Sequence, residues 1–142
     1  MDETYGALDI SASGLMAQRT RLNVIAENLA NAETTRTVDG GPYRRKLVRF
    51  GAEPLAPFSH ALEAMQATSV KVLSIEESEE PMRMIHQPSH PDADGAGYVM
   101  LPNINPILEM VDLLAATRAY EANVTAVQAA KSMAAKALEI GR

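Results

Sequence analysis

The chain has 142 residues, one domain's worth. It has no Cys and no Trp, two Phe and four Tyr, so large core anchors are scarce. A net charge of −5, with an isoelectric point near 5.2, argues against a general nucleic-acid binder.

Ala and Met supply much of an ordinary apolar share of 46%. Such small or flexible side chains specify a compact core poorly. The composition therefore predicts a modest core, or a core completed by another chain. Without cysteine there is no disulfide scaffold, no Cys-based zinc site and no thiol nucleophile. No window approaches 18 consecutive apolar residues, so no transmembrane helix is expected. Met1 to Thr4 lack a cationic stretch and an apolar stretch, so no Sec signal peptide is expected.

Helix breakers divide the chain into three parts. All eight prolines lie between Pro42 and Pro106. The first part, 1–35, carries a leucine every seven residues: Leu8, Leu15, Leu22 and Leu29. Ile25 falls beside this line, and Asn28 and Asn31 lie near its end. Seven-residue spacing is the period of a coiled-coil seam. Asn and Thr in Ala30 to Thr35 favour a helix stop there.

The middle part, 36–103, reads as strands and turns. Asp39-Gly40-Gly41-Pro42 is a turn signal. Tyr43–Phe50 and Val70–Glu76 are the main strand candidates, with Met82–His86 and Tyr98–Leu101 shorter ones. Phe58–Ala67 has the composition of a short helix, and Ser89–Gly97 that of a loop.

The last part, 104–142, is a long helix. Asn105 is its expected N-cap and Pro106 its first residue. Ten alanines between Ile107 and Ile140 raise helix propensity, and Gly141 ends the pattern. A heptad-like line runs through Met110, Leu113, Tyr120, Val124, Val127 and Leu138. A helix of 34 residues would span about 51 Å, beyond the usual globular length, which points to a coiled coil or helical assembly. The expected fold is thus mainly α. Long N- and C-terminal helices form a coiled-coil layer, and a small β-rich middle of hairpin and irregular chain lies between them.

Catalytic and metal-binding signals are weak. His90-x-Asp92-x-Asp94-Gly95 lacks the further oxygen ligands of a calcium loop, and a turn is the better reading. His60, His86 and His90 share no zinc-site spacing. Ser11 to Gly14 is not a nucleophile elbow, and no Gly-rich phosphate loop is present. Glu76 to Glu80 read as a solvated turn after a strand, not as a general acid/base site. Arg44-Arg45-Lys46 reads as a charged solvent face rather than a nucleic-acid site. No enzyme activity, cofactor, metal, nucleic acid or small-molecule substrate is expected.

The terminal motifs carry a resemblance. Ala7–Thr35 is similar to the N-terminal signature of bacterial flagellar axial proteins. Ser11 to Leu15 match its start, and Asn28 to Thr34 its Asn-Leu-Ala-Asn-Ala-x-Thr end. Gly40 to Arg45, His90 to Asp94, and the run from Glu109 through Ala116–Asn123 to Met133 resemble the proximal-rod members of that family. Residues 53–69 depart from the pattern, and no role is carried onto them.

The resemblance implies a structural subunit of the proximal rod, which transmits motor torque toward the hook. Its terminal helices would pack as an inner coiled-coil layer with copies of itself and other rod proteins. It would lie near the basal-body membrane ring and the export gate, in the periplasm. It would arrive there by flagellar type III export, without a cleaved signal peptide. Interface residues are expected along both helix lines: Leu8, Leu15, Leu22, Ile25, Asn28, Asn31 and Leu29 on the first; Met110, Leu113, Tyr120, Val124, Val127 and Leu138 on the second. The helices are expected to be frayed in the monomer and ordered on assembly. The alternative is a soluble coiled-coil adaptor of the cytoplasm.

Overall fold

A computed structural model describes residues 2–54 and 68–140. Two long helices flank two small antiparallel hairpins. Helix α1 spans Asp2–Ala30, strand β1 Lys46–Pro54, β2 Thr68–Glu77, β3 Arg83–His86, β4 Tyr98–Leu101 and helix α2 Pro106–Ile140. Strand β1 pairs with β2 from Lys46↔Glu77 to Pro54↔Thr68, with a register shift between Arg49 and Phe50. Strand β3 pairs with β4 from Arg83↔Leu101 to His86↔Tyr98. The short helix expected at Phe58–Ala67, His60 and the stop at Gly141 lie outside the described residues.

Each helix starts or stops where local chemistry dictates. At the end of α1, the Asn31 amide donates to Glu27 O, and its side chain donates to the same carbonyl and accepts from Thr34 Oγ1. That satisfies last-turn carbonyls which lack helical partners. The following turn carries positive φ at Gly40 and Gly41, which favours glycine. At the start of α2, Asn105 Oδ1 accepts from the Ile107 amide at 3.0 Å, an N-cap, and Pro106 follows as expected.

The helices run antiparallel and pack along their length, Gly14 beside Asn123 and Asn28 bonded to Glu109. On α2 the seam is Glu109, Ala116, Asn123 and Ala130, spaced by seven; three are buried and Asn123 is half-buried. Leu113, Tyr120 and Val127 lie half-buried at alternating spacings of three and four from that line. On α1 the buried positions are Ala17, Val24, Ile25 and Asn28.

The contact line within the chain runs beside the leucine line of α1 and beside Met110 and Leu138 of α2. Leu8, Leu15, Leu22 and Leu29 are half-buried, one position past the seam of Gly14, Arg21 and Asn28. Met110 and Leu138 are 47% and 68% exposed, one position and a flank away from the contact line. The physical reason is distance. The helices meet at glycine and alanine, because only small side chains allow their backbones so close. A Cβ placed on Gly14 would lie 2.9 Å from Asn123 Nδ2.

The core is small. Its buried apolar cluster is Ala32, Tyr43 and Ile104, where the end of α1, the lead-in to β1 and the lead-in to α2 meet. The chain exposes 10427 Å². A compact monomer of 15.3 kDa would expose about 7,100 Å².

Close approach at Gly14 makes a specific prediction. Gly14→Val should destabilise the chain by about 1–3 kcal/mol through overpacking against Asn123. Gly6→Ala, where a Cβ meets nothing within 4 Å, should instead stabilise by about 0.5–1 kcal/mol. Urea unfolding followed by circular dichroism measures both.

Candidate functional site

The polar centre of the molecule is built from three segments. Asn28, on the last turn of α1, is 1% exposed, as is Glu109 in the first turn of α2. Asn28 Nδ2 donates to Glu109 Oε2 at 3.3 Å and to Lys46 O at 2.9 Å. Its Oδ1 accepts from the Lys46 amide at 2.9 Å and from the Tyr43 hydroxyl at 3.1 Å. Arg45 Nε donates to Glu109 Oε1 at 2.6 Å. Arg45 also lies 3.6 Å from Asp112, which reaches Arg21 on α1 at the same distance.

Every part has a reason. A buried carboxylate is strongly disfavoured unless paired and hydrogen-bonded, and Glu109 has one cation and one amide donor. Its place in the first turn of α2 adds the favourable end of the helix dipole. Asn28 uses both of its side-chain groups, binding the backbone at the start of β1 as another strand would. Ser78 N donates to Arg45 O at 2.7 Å, which carries the pairing past the end of the β1–β2 hairpin. Burial first, then the carboxylates of Glu27, Glu77 and Glu109, push the Tyr43 hydroxyl up to about 12.

These contacts revise one sequence reading. Arg45 is not part of a charged solvent face; it is the partner of a buried glutamate. Asn28 has its described hydrogen bonds within the chain, and Asn31 caps its own helix. Sequence reasoning missed Glu109, Arg45 and Tyr43 as one site. The signal was present in chemistry: a glutamate on a helix that otherwise faces its partner with alanine and an uncharged amide needs a cation nearby. Asp94 and Asp92 behave as turn residues. Asp94 Oδ1 accepts from the Ala96 and Tyr98 amides, and Asp92 accepts from Thr35 Oγ1 at 2.8 Å. Among the described residues no three His, Cys, Asp or Glu are grouped to hold a metal ion. Nor is any described helix long and apolar enough to cross a membrane.

The remaining interface candidates line the helices outside this centre. Ile25 is buried against the pair, whereas Leu8, Leu15, Leu22, Leu29 and Val124 are half-buried. Exposed apolar side chains continue around α2 at Ile107, Leu108, Met110, Val111, Leu114 and Leu138.

Comparison with known proteins gives this arrangement its context. Residues 8–36 match the family described as flagella basal body rod protein. Residues 96–140 match the flagellar basal body rod FlgEFG protein C-terminal family. The flagellar basal-body rod protein FlgC of Bacillus subtilis is 45% identical, covering 97% of this chain and 98% of its own. FlgC of Borreliella burgdorferi is 41% identical, with 96% of each chain covered. FlgC of Salmonella typhimurium is 41% identical over 94% of this chain and 95% of its own. The chain belongs to the FlgC family of flagellar basal-body rod proteins. As an FlgC-family member it is a structural subunit of the basal-body rod, and a cytoplasmic adaptor is not favoured. One matched region holds most of α1 with Asn28, and the other holds α2 with Glu109, whereas Tyr43 and Arg45 lie between the two.

The centre can be tested in two ways. Arg45→Met leaves Glu109 buried without its cation and should cost about 2–4 kcal/mol, less than a wholly buried pair because Arg45 is partly solvated. Adding Glu109→Gln should recover more than half of that loss, read by denaturant midpoint. Alkaline titration tests Tyr43. Its hydroxyl is held neutral in the fold, so its contribution is complete below pH 10. That contribution should fall as pH rises from about 10 to 12. Tyr43→Phe should lack that component of the alkaline loss, followed by thermal melting across this range.

Proposed function

We propose that the chain is a proximal-rod subunit whose α1–α2 pair forms part of an inner coiled-coil layer shared with neighbouring rod subunits. The partners are further copies of this chain and other flagellar rod proteins, near the membrane ring and export gate. The work is mechanical: torque from the motor passes through side-by-side helices toward the hook. The subunit carries no reaction and needs no cofactor. It reaches the periplasmic rod by the flagellar export route without cleavage of a signal peptide. A chain without cysteine suits passage through a narrow channel, since no disulfide can lock it folded.

One observation carries this reading. The helices present large apolar side chains to solvent, with Met16 74% exposed and Leu114 64% exposed. A helix on the surface of a lone protein turns a polar face outward. Exposed apolar surface of this extent marks a place where another chain sits. Burying each leucine of the line Leu8, Leu15, Leu22 and Leu29 would contribute up to about 1.5–3 kcal/mol, less what is already buried within the chain.

Leu22→Asp provides the functional test. The variant should still be exported but fail to assemble into rods, so cells expressing it should not swim. Export is read by the level of the chain outside the cytoplasm, assembly by basal-body isolation, and function by swimming in soft agar. Normal swimming of the variant would count against an interface role for this face.

A further inference from the structure

The two helix lines that miss the seam lie together on one side of the pair. On α1 the seam is Gly14, Arg21 and Asn28. The residues before these face the β1–β2 hairpin: Ser13 Oγ accepts from the Val70 amide, and Glu27 pairs with Lys46. The residues after them, Leu15, Leu22 and Leu29, therefore occupy the flank away from the sheet. On α2 Asp112 turns toward Arg45 on the sheet side. The opposite flank holds Met110, Val124 and Lys131, one position after the seam residues Glu109, Asn123 and Ala130. In an antiparallel pair these two flanks border the same groove. Its far wall continues to the exposed Ile107, Leu114 and Glu121.

We propose that this groove takes the outer face of α1 from a second copy of the chain. The inference rests on the rod-subunit reading and names the face and register through which copies join. The outer face of α1 has the matching shape. Ala12, Met16, Arg19, Asn23, Ala26 and Ala30 are all exposed and are spaced alternately by four and three. Small residues there allow a helix to sink between two others, and Met16 supplies the large knob.

Charge sets the register. Asp9 and Arg19 on α1, and Glu121 and Lys131 on α2, are exposed and make no ion pair with any described residue. Asp9 and Arg19 are ten residues apart, as are Glu121 and Lys131. With α1 of the second copy antiparallel to α2, one register brings Arg19 opposite Glu121 and Asp9 opposite Lys131. Met16 then falls opposite Val124. This register is slipped by three residues from the pairing within the chain, where Gly14 meets Asn123, an axial step of about 4.5 Å.

Groove and outer face are different surfaces, so the contact is heterologous and repeats from copy to copy instead of closing on itself as a two-fold dimer. A specific contact of this kind buries about 800 Å² on each partner.

The cysteine-free sequence supplies the test. Met16 is exposed on the outer face of α1, and the pairing within the chain sets it level with Glu121 instead of Val124, so cysteines at 16 and 124 are not expected to bond within one chain. Basal bodies from cells producing the double variant should give, on mild oxidation, a ladder at multiples of the chain mass. Each single variant should give none. Adding Arg19→Glu should cut the cross-linked fraction at least threefold, and adding Glu121→Arg to that should restore it. Disulfide dimers from Met16→Cys alone, no ladder, or a product joined to a different basal-body protein would each overturn the proposal. Immunoblotting the same basal bodies for the chain separates the outcomes. Presence of the double variant without a ladder sinks only this register, whereas absence of the unsubstituted chain from basal bodies of otherwise identical cells would sink the rod reading itself.

Discussion

The fold depends on one buried ion pair and the amide beside it. Glu109 sits 1% exposed in the first turn of α2, held by Arg45 and by Asn28. Desolvating a carboxylate is costly, and only a near-complete set of donors offsets it. Those donors come from different segments, so the carboxylate is satisfied in only one arrangement of α1, the β1 lead-in and α2. The alanine seam below has no such demand. Ala17, Ala116 and Ala130 let the helices approach, but one turn of slip would cost them little. Register is therefore set at the polar end and carried along a seam that tolerates it. This is the role a single polar residue plays in a coiled-coil core, where specificity is gained at some cost in stability.

Close approach and apolar burial compete in such a seam. Small side chains bring two backbones together yet remove little apolar area from water per residue. The buried apolar cluster shared by the three segments contains only Ala32, Tyr43 and Ile104. The larger side chains of α2, among them Ile107, Leu114 and Leu138, point away from α1. A chain built this way gains geometry from its internal contact and leaves much of its hydrophobic free energy to contacts made elsewhere.

Much of the architecture was legible in the sequence because it rests on local rules. Proline placement bounded both helices, Asn105-Pro106 marked the start of α2, and alternation marked β2. The seam was harder to read. Large apolar residues are conspicuous at seven-residue spacing, and Leu8 to Leu29 drew the line one position past the contact. A seam of Gly14 and Ala17 against Ala116 and Ala130 looks like background in an alanine-rich chain. Arg45 was misread because a charge cluster is ordinarily solvated. Its partner lies 64 residues away, and no local pattern encodes so distant a pairing. The bulge at Arg49 and Phe50 likewise has no composition signal.

The leucine line beside the contact bears on what a rod subunit requires. A helix that serves two neighbours needs two seams, and a straight helix offers them on faces roughly 100° apart, one residue along. Gly14, Arg21 and Asn28 form one line, and Leu15, Leu22 and Leu29 are the same positions advanced by one. On α2 the seam line Glu109, Ala116, Asn123 and Ala130 and the line Met110, Thr117, Val124 and Lys131 have the same relation. Each helix thus carries a close-packing line of small or polar residues and, beside it, a second line richer in large apolar ones. The division has a mechanical logic. The inner line fixes register within the chain through specific polar contacts. The second line presents apolar area, and attraction through such area is non-directional and insensitive to small rotations.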